Sequence, residues 1–266
     1  RFWTLTGNRL SYMRDKTQDE RYFILTLFAI AKELESVGRL SAFETIDLAV
    51  GLPPEHYGIL KNKFAQYFKR TGTVNFVYKD NPVSIIIRNV CVYPQAYAAV
   101  VPYAGKLLST LMMFVVDIGG YTTDVLLLRN GKPDLQFCRS LELGMIRCLD
   151  EIGEKARQMF GVSMTDVQIE SILRGGAVSV DDRIRAVIHT QAGKYARNLL
   201  SAVTESGLDI RAMPAIFLGG GAALLKRHLS ATDGLCRPLI LDDVSLNAKG
   251  YERLVGQMSR GVGHGG

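Results

Sequence analysis

The sequence predicts an α/β protein with two lobes. Strand-like and helix-like segments alternate along its 266 residues, a pattern typical of sheets covered by helices. Two glycine-rich turns, at Gly119 and Gly219, each follow a continuous apolar run that suits a buried strand. A chain of this length can form one large domain or two smaller ones. With 47% hydrophobic and 22% charged residues it is neither disordered nor collagen-like.

The first half of the chain alternates short strands with helices. Alternating apolar residues over 1–14, broken near Gly7, predict a short hairpin. Apolar residues at helical spacing then predict a helix over 17–37, which Gly38 ends. The remaining predicted elements are a buried strand over 46–52, a helix over 55–70, strands over 74–78 and 83–92, and a small-residue helix that Pro94 opens and that runs through Tyr103.

The second half repeats this alternation. The apolar run 112–116 predicts a buried strand, and Asn130-Gly131 predicts a tight hairpin between strands over 125–129 and 135–140. The pattern then predicts helices over 143–160, 165–173 and 181–206, a strand over 215–218, three glycines at 219–221, a helix over 222–229, a strand over 238–241 and a helix over 247–258. The glycine-rich tail from 261 is expected to be flexible.

Residues 117–124, Asp-Ile-Gly-Gly-Tyr-Thr-Thr-Asp, carry the clearest chemistry in the sequence. Two glycines let backbone N–H groups face a ligand, and the flanking hydroxyls and carboxylates complete a phosphate cradle with a metal-binding edge. Asp117 and Asp124 would hold Mg²⁺ or its waters, since Mg²⁺ takes one or two protein carboxylates. An ordinary hairpin turn, in which Asp and Thr satisfy local backbone donors, explains the same residues equally well.

The glycines at 219–221 form a second candidate ligand turn. They lie between a predicted strand and a predicted helix, where backbone amides and the helix dipole favour an anion. A tight strand-to-helix turn that needs positive φ is the alternative for this cluster alone. Two such turns in one α/β chain are what a nucleotide clamp between lobes requires.

These motifs occur in an order that resembles the actin-like ATPase superfamily, and within it the bacterial plasmid-segregation actins of the ParM/StbA type. Residues 117–124 are similar to the family's second phosphate loop, and 217–222, Phe-Leu-Gly-Gly-Gly-Ala, to its adenosine-side glycine motif. Four further segments, 46–53, 92–97, 141–145 and 248–252, resemble the family's first-domain strand, connecting helix, second-domain turn and returning C-terminal helix. The resemblance covers nearly the whole chain.

The resemblance implies an actin-like (ribonuclease H-like) two-domain ATPase fold with a nucleotide cleft between the lobes. We expect domain I over 1–105, domain II over 106–246, and a helix over 247–266 that returns to domain I and ends in the flexible tail. The family opens with a strand pair whose Asp-x-Gly turn is the first phosphate loop. No such segment precedes Asp117, so we expect this hairpin to lie upstream of Arg1.

The same resemblance assigns roles to individual residues. Gln95 takes the position of the residue that orients the attacking water, a role that Gln has in other NTPases. Gln95 could instead cap the helix after Pro94. Asp117 is implied in catalysis and, with Asp124, in holding Mg²⁺. The implied nucleotide contacts are Gly119, Gly120, Tyr121, Thr122, Thr123, Gly144, Gly219, Gly220 and Gly221.

The function that the resemblance implies is nucleotide-driven filament assembly. ATP, or GTP, would bind with Mg²⁺, drive assembly and be hydrolysed within the filament, which moves plasmid copies apart through an adaptor protein bound to centromere-like DNA. Two alternatives use the same fold: a non-polymerising kinase, ATPase or chaperone of the superfamily, and a structural filament protein that binds nucleotide weakly. A kinase needs a carboxylate base in the cleft, and Gln95 is not one.

The charge and composition of the chain limit the kinds of partner and the location that we expect. The net charge of +6 comes without a run of Lys or Arg, so direct DNA binding is not implied. No segment is apolar enough to predict a membrane span, and no secretory leader opens the sequence. Four cysteines without a CxxC pair indicate reduced thiols and a cytoplasmic location. The four histidines are dispersed, and a metal or triad role for them is not favoured.

Overall fold

The computed structural model describes residues 3, 4, 6, 9, 11, 13, 15–103, 111–207, 209–232, 234–236 and 238–261. The hairpin predicted over 1–14 lies largely outside these residues, and so does the predicted glycine-rich tail. Within them, strands and helices alternate as the sequence predicts, and the α/β fold class is confirmed. None of the helices in this described part is long and apolar enough to cross a membrane.

The elements have the following bounds. The helices are α1 (Arg21–Ser36), α2 (Pro54–Phe68), α3 (Tyr97–Val100), α4 (Met145–Phe160), α5 (Asp166–Leu173), α6 (Asp182–Glu205), α7 (Gly219–Ser230) and α8 (Leu246–Gly261). The strands are β1 (Phe43–Leu52), β2 (Val74–Tyr78), β3 (Asn81–Pro94), β4 (Met112–Ile118), β5 (Thr123–Arg129), β6 (Lys132–Leu141), β7 (Ala215–Leu218) and β8 (Leu239–Ile240). A 3₁₀ turn over Val101–Tyr103 follows α3.

The strands form two sheets. One has the order β1-β3-β2, and the other has the order β6-β5-β4-β7-β8. In the larger sheet β4, β5 and β6 are antiparallel, whereas β7 and β8 run parallel to β4. The β5–β6 hairpin turns at Asn130 and Gly131, which both have positive φ, as expected for this dipeptide in a two-residue hairpin.

The chain divides into two compact units. The first comprises Arg1–Leu48 and Asn62–Val90, and the second comprises Ala49–Lys61 and Cys91–Gly266. The first unit has an aromatic centre in which Phe23, Phe64 and Phe68 are buried. The Arg70 guanidinium lies 3.8 Å from the centroid of the Phe23 ring, and the Phe23 N–H donates to Tyr67 Oη over 2.8 Å.

The second unit buries both faces of its five-stranded sheet. One face, with Phe114, Val116 and Phe217, packs on α4, α5, α6 and α7. The other face, with Met113, Val115 and Leu218, packs on α3 and on Leu246 of α8. Burial on both faces explains why β4 reads as a continuous apolar run rather than an alternating one.

Two predicted boundaries next to the candidate site are wrong. Pro94 ends β3 instead of opening a helix, since its fixed φ suits an extended strand end as well as a first helical turn. The helix there spans only Tyr97–Val100 before the 3₁₀ turn. The glycines at 219–221 form the first turn of α7 and not a loop before it. The predicted domain boundaries stay a prediction.

Candidate functional site

The turn between β4 and β5 lies at the centre of the candidate site. Residues Asp117 and Asp124 face each other directly across the two strands, and Ile118 faces Thr123. The Gly119 N–H donates to the Thr122 carbonyl over 2.9 Å and closes the turn. Because successive residues of a strand point to opposite faces, the two carboxylates share the face that α3 and α8 cover. Thr123 lies on the opposite face.

The start of α4 fixes the shape of this turn. The N–H groups of Gly144, Met145 and Ile146 donate to the carbonyls of Tyr121, Gly119 and Gly120, over 3.1, 2.9 and 2.9 Å respectively. These are orphan donors of a helix N-terminus, and the turn carbonyls satisfy them. A Cβ atom at Gly144 would overlap the backbone of Gly120, so only glycine allows this contact.

The turn's carbonyls face α4, and this leaves two of its N–H groups available. Within the described part of the chain, the N–H groups of Gly120 and Thr122 have no acceptor. Gly120 is exposed, and Thr122 is half-buried. N–H groups without acceptors on one tight turn can together bind an anion. The residues form a hairpin turn with two N–H groups available, and its use as a phosphate cradle stays a prediction.

Two predicted contact residues have internal roles in this arrangement. Thr123 is fully buried, and its hydroxyl donates to the Leu143 carbonyl over 2.7 Å. The Gly144 carbonyl accepts a hydrogen bond from the Tyr195 hydroxyl over 2.8 Å, and the Gly144 N–H donates to the Tyr121 carbonyl. Both residues therefore support the turn from the α4 side. A contact of either with nucleotide stays a prediction.

The two carboxylates have different surroundings. Asp117 Oδ2 accepts an N–H of the Asn247 side chain over 2.9 Å, and burial raises the pKa of this half-buried carboxyl while the Asn247 amide lowers it in part. Asp124 is buried, and its Oδ1 accepts the Ser140 hydroxyl over 2.6 Å. The Ser140 N–H donates in turn to Glu55 Oε2 over 2.6 Å.

The first turn of α7 lies against Asp117. A Cβ atom at Gly219 would overlap Asp117 Oδ1, and Gly219 has a φ of +88°, so both close approach and backbone conformation require glycine. The side of Gly220 is open, with no atom within 4 Å of a Cβ placed there. The structure thus brings the two glycine turns predicted from the sequence to the same end of β4.

The segment that carries Gln95 follows β3. Its N–H donates to the Leu52 carbonyl of β1 over 2.8 Å. Ala96 has φ +61° and ψ −50°, and it occupies the N-cap position of α3 without a side-chain cap bond. Gln95 is therefore not the N-cap residue of this helix. Its role in orienting water stays a prediction.

Sequence reasoning missed two residues that complete the site. Asn247 connects Asp117 to the Gln95 segment, because its Oδ1 accepts the Ala96 N–H over 3.0 Å. The Tyr251 hydroxyl packs against Gly51 beside the Gln95 side chain. Asn247 and Tyr251 are one helical turn apart in α8. This spacing indicates that the two residues share one face of α8. The local sequence does not show which face of the helix is buried.

Two of the dispersed histidines also come together, although outside the candidate site. His189 Nδ1 lies 3.3 Å from His228 Nε2, where α6 packs on α7. Burial, with nearby Arg227, lowers the pKa of His189, and burial with the neighbouring histidine lowers that of His228. Among the residues that the structure describes, no group of three or more His, Cys, Asp or Glu side chains could hold a metal ion.

Comparison with known proteins identifies related families and folds. The model of the N-terminal domain of actin-like proteins matches residues 4–97. The model of the C-terminal domain of the archaeal actin homologue MreB-like family matches residues 115–231. Among curated proteins no significant match is found.

Solved structures of an archaeal actin homolog and of ParM proteins are also similar to this chain, at low sequence identity. An archaeal actin homolog, Ta0583, in complex with ADP has a TM-score of 0.66 and 18% identity, over 87% of this chain and 77% of that one. The pCBH ParM non-polymerisable quadruple mutant has a TM-score of 0.62 and 21% identity, over 80% and 68%. Bacillus thuringiensis ParM with ATP has a TM-score of 0.60 and 15% identity, over 95% and 79%.

The resemblance drawn from the sequence motifs is thus confirmed at the level of the fold. Two family models match in chain order, and the similar structures extend over most of the chain. This chain has the actin-like fold shared by ParM and archaeal actin homologues, and domain models of two actin-like families match within it.

Proposed function

We propose that this protein binds ATP with Mg²⁺, hydrolyses it and uses the cycle to assemble filaments. The cradle at the end of β4 carries the proposal: two free N–H groups of the turn, two paired carboxylates and the open first turn of α7 lie at one strand end. Phosphate groups require such donors and a counter-cation. ADP and ATP in the solved relatives support the same class of ligand.

Asp117 and Asp124 fit a Mg²⁺ ion. They are direct cross-strand neighbours, and burial raises the pKa of Asp117, so a cation nearby would restore its ionised form. Two carboxylates with waters and phosphate oxygens are the usual surroundings of Mg²⁺ in nucleotide sites. The ion would neutralise the phosphate charge, and Asp117 and Asp124 would hold it directly or through water.

The chain's own residues have distinct tasks in this proposal. The N–H groups of Gly120 and Thr122 bind phosphate oxygens, and Tyr121 with Gly119 shapes that turn. The first turn of α7, with Gly219, Gly220 and Gly221, receives the adenosine side of the nucleotide. Gln95 orients the attacking water, since its amide can both donate and accept a hydrogen bond. GTP in place of ATP is compatible with a base held mainly by packing.

Filament assembly and plasmid segregation complete the proposal. One solved relative is described as a non-polymerisable mutant of ParM, which supports self-association for proteins of this fold. We further propose that an adaptor on centromere-like plasmid DNA connects the filament to its cargo, in the cytoplasm. The surplus of six positive charges is small, and the proposal does not include direct DNA contact.

The alternatives predict different observations. A kinase of this fold needs a carboxylate base, and Gln95 offers an amide at that position. A structural filament protein would assemble without nucleotide. Filament assembly that depends on nucleotide therefore separates the proposed function from both alternatives.

Light scattering with simultaneous phosphate release tests the proposal on the full-length protein. We expect scattering to rise when ATP and Mg²⁺ are added, phosphate release to follow, and electron micrographs to show filaments only with nucleotide. Filaments that form equally without nucleotide would favour the structural protein. ADP production that needs a second substrate, without filaments, would favour the kinase.

A further inference from the structure

The side chain of Asn247 joins two separate parts of the candidate site. Its Oδ1 accepts the Ala96 N–H over 3.0 Å, from a residue 151 positions away. Its Nδ2 donates to Asp117 Oδ2 over 2.9 Å, across 130 positions. A backbone N–H only donates and an ionised carboxylate only accepts, so one orientation of the amide satisfies both partners.

The backbone that Asn247 contacts is strained. Ala96 has φ +61° and ψ −50°, and the Tyr97 N–H donates to the Gln95 carbonyl over 2.6 Å. These features define a γ-turn of the rare form with positive φ. Such a conformation in a residue other than glycine persists only where surrounding contacts hold it. Ala96 is fully buried, and the Asn247 oxygen is the acceptor for its N–H.

The helix that carries Asn247 is firmly seated. A Cβ atom at Gly250 would overlap the backbone of Ala98, so α8 and α3 touch directly. Leu246 is buried with Ala96 and Val100. Asn247, Gly250 and Tyr251 share one face of α8 because residues three and four apart are neighbours on a helix. These contacts fix the backbone of α8, and they therefore fix the point from which the Asn247 side chain extends.

We infer that Asn247 is a positioning residue, which fixes the strained turn that carries Gln95 relative to the Asp117 carboxylate. The inference rests on the proposed function, in which Gln95 orients water and Asp117 lies beside the phosphates. Asn247 acts through these two residues. Its loss therefore releases the turn and misplaces Gln95, and nucleotide contacts elsewhere remain.

Amide hydrogen exchange of the ligand-free full-length protein tests the contact without any activity. We expect Asn247→Ala to speed exchange at Ala96 by about tenfold or more, because the N–H loses its acceptor. Asn247→Asp keeps an oxygen acceptor for the Ala96 N–H, and its carboxyl shares one proton with that of Asp117, as two carboxyl groups at hydrogen-bond distance do, so Ala96 should stay protected. Glu252→Ala, at an exposed position of the same helix, is the control and should change nothing at Ala96. Unchanged exchange in Asn247→Ala, or equal acceleration in Asn247→Asp, would overturn the inference.

Steady-state hydrolysis then tests the route through Gln95. We expect Asn247→Ala to lower kcat by about ten- to a hundredfold, the cost of misplacing a catalytic group, with KM changed much less. In a Gln95→Ala background the same substitution should lower kcat less than about twofold, because the two residues act as one unit. An equal loss in both backgrounds contradicts the inference.

The two experiments separate this inference from the proposed function. A parental protein that hydrolyses no nucleotide would overturn the proposed function and the catalytic part of the inference, whereas the exchange result would still decide whether Asn247 holds the turn. Hydrolysis by the parental protein with no effect of Asn247→Ala on kcat would overturn the inference alone. Circular dichroism of each variant establishes folding, and Asn247→Leu, which fills the space of the amide without an acceptor oxygen, replaces Asn247→Ala if the alanine variant does not fold.

Discussion

The hydroxyl of Tyr251 packs against the backbone of Gly51, at a place where a Cβ atom would overlap it. The Tyr251 ring is stacked on Tyr93, with the two centroids 6.1 Å apart. Gln95 Cγ lies 2.9 Å from the same Cβ position. The missing side chain at residue 51 thus makes the space in which α8 places Tyr251 beside Gln95.

Gly51→Ala should destabilise the protein, because the added methyl group would overlap the Tyr251 hydroxyl. The added methyl group forces Tyr251 to move within a packed region, and overpacking of this kind costs about 1–3 kcal/mol. We expect chemical denaturation to show a lower free energy of unfolding, and hydrolysis to slow because Gln95 shares the space.

Gly58→Ala is the matched control for that substitution. Gly58 lies in α2, and nothing stands within 4 Å of a Cβ added there. Alanine is favoured over glycine in a helix by about 0.5–1 kcal/mol, so this variant should be more stable than the parent. A Gly51→Ala protein as stable as the Gly58→Ala protein would show that Tyr251 does not need the space.

Tyr251→Phe should stabilise the ligand-free protein. Tyr251 Oη is buried and makes no hydrogen bond of normal geometry among the described residues, and an unsatisfied buried hydroxyl costs about 1–3 kcal/mol. Burial and the negative charges of Asp117 and Asp124 raise the pKa of this hydroxyl, and a contact with the Gln95 side chain lowers it only in part, so it stays protonated. We expect thermal unfolding without nucleotide to shift upward. A downward shift would mean that the hydroxyl has a partner, such as a bound water.

Gly220 offers a test of nucleotide contact that leaves the fold intact. A side chain at Gly220 meets open space, whereas a Cβ atom at Gly221 would lie 2.6 Å from Met145 Cγ and overlap Ile118. Gly220→Leu should therefore unfold near the parental temperature but bind nucleotide about tenfold or more weakly, since the leucine occupies the proposed ligand space. Gly221→Ala should instead lose about 1–3 kcal/mol of stability. Parental affinity of Gly220→Leu in titration calorimetry would remove Gly220 from the site.

Local patterns predicted most of the fold around the site. The apolar run of β4, the Asn130-Gly131 hairpin and the strand before Gly219 lie where sequence places them, because each depends on neighbouring residues. Thr165 and Asp181, at the starts of predicted helices, are N-caps whose side chains accept backbone N–H groups. Pro94 misled the helix prediction because proline fits both a strand end and a helix start.

Contacts across long sequence separations could not be predicted in the same way. Asn247 meets Ala96 and Asp117 only because Gly250 lets α8 approach Ala98. The unusual backbone of Ala96 has no local cause, since alanine does not favour positive φ. The opposite faces of Asp117 and Thr123 were predictable from the period of two along a strand, but which face meets α4 depends on packing.

Asp117→Asn should increase the stability of the ligand-free protein at neutral pH. Burial raises the pKa of Asp117, so the stability that the protonated group contributes is present below its unfolded pKa and is lost as the pH rises through its folded pKa. Asparagine has no charge to bury. We expect its advantage in thermal unfolding at pH 7 to vanish in acid, with Mg²⁺-dependent nucleotide binding lost. A variant less stable than the parent at pH 7 would contradict the assigned burial cost.

Gln95→Ala should separate nucleotide binding from hydrolysis. The Gln95 N–H bond to Leu52 and the Ala96 bond to Asn247 involve backbone atoms of this segment, so truncating the Gln95 side chain leaves the turn in place. The variant should bind ATP with an affinity within about threefold of the parent, because the proposed phosphate donors belong to Gly120 and Thr122. Hydrolysis should slow by about a hundredfold, the usual contribution of a group that positions or activates the nucleophile. Filaments of Gln95→Ala should then form with ATP but disassemble slowly, which light scattering over time measures. Phosphate release at the parental rate would remove Gln95 from the mechanism and leave the cradle at β4 as a binding site only.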